Sequence, residues 1–244
     1  MQTHLALSVI AIVVALASAA LSVWGGLRSV KLQARIRQQQ ERMDLMKRFR
    51  NPLLLAAFDL QSRIYSLHRD QFIFFQNGTD AEKRYARHST LFVLGEYLAC
   101  IELVRRHVQF IEVGTTSESR TTLMKHLTQI NEVLSDWRNH GKLFRVFRTE
   151  QRAIGEIMLT PTTGPEAAIP IGYAEFCSRL ARDPNFSGWF AQLTDDLDRL
   201  VENPQEGTRF PALQHQLIDL INFLDPESER FPDWDRSKMP KESA

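Results

Sequence analysis

From Leu5 to Trp24 the chain carries no charged side chain. As a helix rising about 1.5 Å per residue, a run of about twenty residues matches the roughly 30 Å hydrocarbon core of a bilayer. This run predicts a transmembrane helix over residues 4–27, and it limits the rest of the fold to one side of a membrane. Before it stand only the α-amino group and His4, whereas residues 28–50 carry eight Lys or Arg against Glu41 and Asp44. Positive charge flanking a first span stays inside, so the reading is N-terminus out and C-terminus in, at a cell or inner membrane. A cleaved secretory signal is the rival reading, since Ala15-Leu16-Ala17 has the small residues of a cleavage site. Against it, the segment before the run has no Lys or Arg, and the apolar stretch continues to Trp24.

Within the span Ala11, Ala15 and Ala19 recur every four residues, a spacing that lets helices approach closely in lipid and self-associate. Arg28, Lys31, Arg35 and Arg37 follow at once. Beside an anionic leaflet, each such cation contributes about 1 kcal/mol of attraction. Residues 28–50 are read as a basic juxtamembrane helical stalk. Leu32, Ile36, Met43 and Met46 make only a ragged seam, interrupted by Gln38-Gln39-Gln40, so a coiled coil is not expected.

Beyond residue 50, helix punctuation dominates and strand signals are scarce. Asn51-Pro52 reads as a cap followed by proline at the first helical position of a helix over 52–76. Thr79 and Glu82 have capping-box spacing at the start of a helix over 80–113. Further helices are expected over 120–137, 142–158, 173–182 and 185–202, and a last one carries Leu213, Leu217, Leu220, Ile221 and Leu224. The expected organisation is all-α: a four-helix core over 51–158, a Pro-rich loop over 159–171, helices packing on the core over 172–225, and a polar, disordered tail over 226–244. The near-zero net charge of +1 hides an acidic last quarter, with thirteen acids against six bases over residues 183–244.

A helical wheel places two acids against the core, Glu96 and Glu150, with His107 on the side of Glu96. Two inward carboxylates suggest a di-metal site, but that chemistry uses a Glu with a His three residues later, and no such pair occurs. Zinc-ligand clusters, phosphate loops and nucleophile elbows are also missing, so no cofactor and no catalytic residue is assigned. Cys100 and Cys177 fall in apolar patterns and suggest no disulfide framework. Arg145, Arg148 and Arg152 would share one face of helix 142–158, a candidate anion-binding face that also carries Glu156. The chain is not basic overall and has no aromatic-plus-basic module, so nucleic acid is not an expected partner.

These features favour a membrane-anchored, non-catalytic interaction or scaffold module with a protein partner. Two alternatives stand beside it. One is a tethered enzyme or ligand sensor with a pocket near Glu96, His107 and Glu150. The other is a subunit of a larger membrane complex docked through Ala11, Ala15 and Ala19.

Overall fold

The computed structural model describes residues 33, 49–67, 77–111, 117–161, 168–203 and 206–240, with side chains from 49 to 106 and from 121 onward within those stretches. The chain divides into two compact units, Met1–Met46 and Lys47–Ala244. The expected span over 4–27, the contact face Ala11, Ala15 and Ala19, and the cations Arg28, Lys31, Arg35 and Arg37 lie outside the described residues. Among the described residues no helix is long and apolar enough to cross a membrane.

The second unit is all-helical among its described residues, apart from one isolated bridge between Leu159 and Pro170. The helices are α1 over 49–67, α2 Asp80–Ile111, α3 Ser117–Ser135, α4 Arg148–Ile157, α5 Tyr173–Arg182, α6 Pro184–Gly188, α7 Ala191–Glu202 and α8 Arg209–Leu224. A 3-10 turn, Asp233–Arg236, follows. Already helical at residue 49, α1 has Asn51 within it rather than as its cap. Its stripe of Leu53, Ala57, Leu60, Ile64 and Leu67, at three- and four-residue spacing, is fully buried. The Thr79 capping box forms as its spacing predicts: the Thr79 amide donates to Glu82 Oε2 at 2.8 Å, and the Glu82 amide donates to Thr79 Oγ1 at 3.4 Å.

Two helix pairs organise the core: α2 packs on α4, and α3 packs on α8. The first pair is unusually close. A Cβ added at Gly155 of α4 would stand 2.6 Å from the Leu98 carbonyl oxygen of α2, and at Gly95 it would stand 3.0 Å from Met158. Glycine at each contact lets a backbone or a large side chain sit against the opposite helix. This closeness also buries Glu102, whose Cβ lies 3.1 Å from the position of a Cβ at Gly155. Its side chain is 2% exposed and is held by Arg105 at 2.6 Å and Arg106 at 2.7 Å. Burial acts to raise that carboxyl, but the two guanidiniums outweigh it and keep it below its ordinary value.

In the second pair α8 is buried over most of its surface, from Phe210 through Leu213, Leu217 and Ile221 to Leu224. An edge-to-face aromatic cluster joins the remaining short helices to α2. Phe176 lies 5.6 Å from Phe92, 5.7 Å from Phe186 and 5.3 Å from Phe190.

The expected disordered tail is corrected for residues 226–240, which form a strap across α8 and α1. Asp225, at the end of α8, accepts the amides of Glu229, Arg230 and Phe231. Buried Arg236 bonds the Asp225 carboxylate and donates to the Phe231 carbonyl at 2.6 Å. Burial acts to raise the Asp225 carboxyl, yet these amides and the Arg236 guanidinium outweigh it and hold it low. Phe231 stacks on Phe58 of α1 at 3.7 Å, and the Met239 amide donates to Gln214 at 3.1 Å. Arg50 of α1 in turn donates to the Leu224 carbonyl at 2.7 Å, closing the C-terminal end of α8. The polar composition of the strap satisfies orphan backbone groups at that helix end, which composition alone does not reveal.

Candidate functional site

Residues 136–147 do not continue as helix, so the expected helix over 142–158 is shortened to Arg148–Ile157. The reason lies far away in sequence. Arg209, at the first turn of α8, is 1% exposed and donates to the carbonyls of Val133, Asp136, Gly141 and Leu143, the last three at 2.9, 2.8 and 3.2 Å. Burial pulls its guanidinium down to about 10, still charged at neutral pH. Buried Asp196 of α7 then takes the Phe144 amide on Oδ2 at 2.8 Å and the Gln192 amide group on Oδ1 at 2.9 Å. Phe144 is held at φ 57°, a left-handed conformation costly for a bulky side chain and incompatible with helix.

The next residues are pinned in the same way. The Val146 amide donates to the Leu134 carbonyl at 3.0 Å, and the Gln151 side chain donates to the Val146 carbonyl at 2.8 Å. The Phe147 amide donates to Glu150 Oε2 at 2.8 Å. With its backbone fixed, the segment presents Lys142, Arg145 and Phe147 toward α7.

Between this segment and α7 lies a partly enclosed cleft of about 550 Å³, whose walls include Lys142, Arg145, Phe147, Glu150, Trp189 and Arg199. Phe147 and Trp189 are 46% and 45% exposed, so two large apolar rings face solvent at one site. The Arg145 guanidinium lies over the Phe147 ring at 4.9 Å. Both acids of the cleft are engaged: Asp196 by Phe144 and Gln192, and Glu150 by the Phe147 amide. Among the described residues none of Lys142, Arg145 and Arg199 has a carboxylate within ion-pair distance. A second cavity of about 490 Å³ shares Trp189 but differs in charge, because its Arg106 and Arg179 already pair with Glu102 and Glu175.

The residues singled out from sequence are thus dispersed. Glu150 is a half-exposed helix-capping acid in the cleft, not a core carboxylate facing Glu96. Glu96 is half-buried on α2, held above its ordinary value first by burial and then by the charge of Asp59 on α1. Arg63 of α1 donates to the Ala86 carbonyl of α2 at 3.3 Å. The His107 side chain lies outside the described residues. Of the arginine stripe, Arg145 precedes the helix, Arg148 pairs with Glu132 at 3.2 Å, and Arg152 is exposed on α4. One face is therefore not formed, and Arg145 lines the cleft.

Sequence reading missed Lys142, Phe147, Trp189 and Arg199 as a group, because no spacing links them. Arg209 and Asp196 left a signal. Arg209 falls on the apolar stripe of Leu213, Leu217, Leu220 and Leu224, and Asp196 lies between Leu193 and Leu200 on that of α7. Both cysteines are free thiols, and burial pushes Cys100 up to about 12, with the Glu96 charge adding to it. Among the described residues no three His, Cys, Asp or Glu side chains gather as metal ligands. No family model, no curated protein and no solved structure matches the chain, so the functional reading rests on this geometry.

Proposed function

We propose that the chain is a membrane-anchored, non-catalytic interaction module that docks an acidic, aromatic-bearing segment of a protein partner in the Lys142/Arg145/Arg199 cleft. One observation carries this reading: three cations without carboxylate partners surround two half-exposed aromatic rings on a backbone locked by Arg209 and Asp196. Arginine and aromatic side chains are the usual anchors of protein interfaces, and a preorganised site loses little entropy on binding. The anchor is supported by the uncharged run Leu5–Trp24 and the cations after it.

The test is binding of a labelled hexapeptide of aspartates and one phenylalanine to the full chain, followed by fluorescence anisotropy. Saturable binding that weakens with salt is expected. The double variant Lys142→Glu, Arg145→Glu should lower affinity at least ten-fold, since it reverses two of three attractive charges. Equal binding by the variant, or by a lysine-based control peptide, would sink the docking site. For the anchor, a reporter active only outside the cytoplasm is fused after Ala244. Silence is expected, and activity would overturn the N-out orientation.

A further inference from the structure

Trp234 is 75% exposed, the highest value among the large apolar side chains described, yet the residues on either side of it are fastened to the domain. It sits in the 3-10 turn Asp233–Arg236, between two aspartates. Arg236, two residues on, is buried and bonds the Asp225 and Phe231 carbonyls at 2.7 and 2.6 Å. The Asp235 carbonyl accepts Gln61 of α1 at 3.3 Å, and the Ser228 hydroxyl holds the Asp233 carboxylate. The result is an indole projected into water on a fixed mount with a carboxylate on either side. A rigid aromatic of this kind gains apolar burial on binding and loses few rotamers in doing so.

Its chemical complement lies on the same chain. The cleft offers Phe147 and Trp189 as ring surfaces, Arg145 for a cation–π contact, and Lys142 and Arg199 for the flanking carboxylates. The two features belong to different parts of the domain. Trp234 is mounted on contacts to α1 and the end of α8, while the cleft is walled by residues 142–147, α4 and α7. At 75% exposure, Trp234 does not fill its own cleft.

We infer that the Asp233-Trp234-Asp235 knob of one copy docks in the Lys142/Arg145/Arg199 cleft of a second copy. The inference rests on the cleft being a docking site and names its occupant. Such a contact joins two different surfaces, so the copy that gives its knob keeps a spare cleft and the copy that gives its cleft keeps a spare knob. It propagates into a ring or a row.

The test uses the full chain with Trp234→p-benzoylphenylalanine, mixed with a differently tagged wild-type chain and irradiated. Because position 234 is exposed, the replacement leaves the fold intact. Inter-chain adducts are expected within residues 142–147 or 188–199 of the tagged copy. Placing Lys142→Glu, Arg145→Glu in the tagged copy should cut adduct yield at least ten-fold, while the same pair in the probe-bearing copy leaves yield unchanged. Absence of inter-chain adducts, adducts elsewhere, or indifference to the location of the charge reversal overturns the inference. If the aspartate peptide still binds in the cleft-dependent way given above, only the second copy as occupant is lost. If neither binds, the docking site falls as well.

Discussion

Replacing Arg209 by methionine should lower the stability of the domain by at least about 3 kcal/mol, one of the largest effects available to a single substitution here. Methionine keeps much of the length and apolar stem of the side chain but removes all its donors. Four carbonyls, those of Val133, Asp136, Gly141 and Leu143, then lose a charged partner in a place where Arg209 is 1% exposed. Each orphaned buried acceptor costs on the order of 1 kcal/mol or more. In a domain of about two hundred residues this corresponds to a drop of roughly 10 °C in thermal midpoint, readable by circular dichroism of the full chain. Lysine at 209 should recover only part of the loss, because a single ammonium cannot fan out to carbonyls on several sides. A methionine variant melting within 2 °C of the parent would refute the role assigned to Arg209. The same variant should bind the aspartate peptide poorly, since residues 142–147 depend on Arg209 for their course.

The second large effect is expected at Gly155. In an exposed helix, alanine for glycine gains about 1 kcal/mol of helix propensity. At this position the new methyl would stand 2.6 Å from the Leu98 carbonyl oxygen, a backbone atom that cannot swing away, and 3.1 Å from the Glu102 Cβ. Helices α2 and α4 would have to separate, loosening the Gly95–Met158 contact and opening the buried Glu102 carboxylate to water. Overpacking dominates, and a net loss of about 2 kcal/mol is expected in urea denaturation. Gly172→Ala serves as the control: nothing lies within 4 Å of its Cβ and its φ of −75° suits any residue, so it should be neutral or slightly stabilising. A Gly155 variant as stable as the Gly172 variant would show that the close helix approach is not required.

The all-helical class and the positions of most helices were legible because their signals are local. Thr79 and Glu82 cap a helix through atoms three residues apart, and the stripe of Leu53, Leu60, Ile64 and Leu67 identifies a buried face from spacing alone. The candidate site was not legible because its shape is set by long-range polar bonds. Phe144, Phe147 and Ile154 read as one apolar helical face until Asp196, fifty-two residues on, takes the Phe144 amide and turns the chain left-handed. Treating charged residues as solvated surface by default hid Glu102, Asp196, Arg209 and Arg236, which are all buried. Where an ionic residue falls on an apolar stripe, it marks a buried backbone to be satisfied as often as it marks chemistry. Glu150 shows the opposite error: it fell on the apolar side of a helix whose first turns do not exist.

The strap has a consequence for the order in which the protein can be made. Phe58 is covered by Phe231 and Gln61 meets Asp235, pairing residues more than 170 positions apart. A nascent chain ending at residue 225 has α1 and α8 in hand but leaves this seam open, with the Asp225 carboxylate lacking the amides and guanidinium that surround it in the finished domain. Contacts of such long sequence separation form late and limit folding rate. The domain therefore stays unsealed until residues 226–240 have been made, and those residues act as the closing stitch. A chain stalled or clipped before Arg236 carries α1 to α8 with this seam open, a species prone to aggregation.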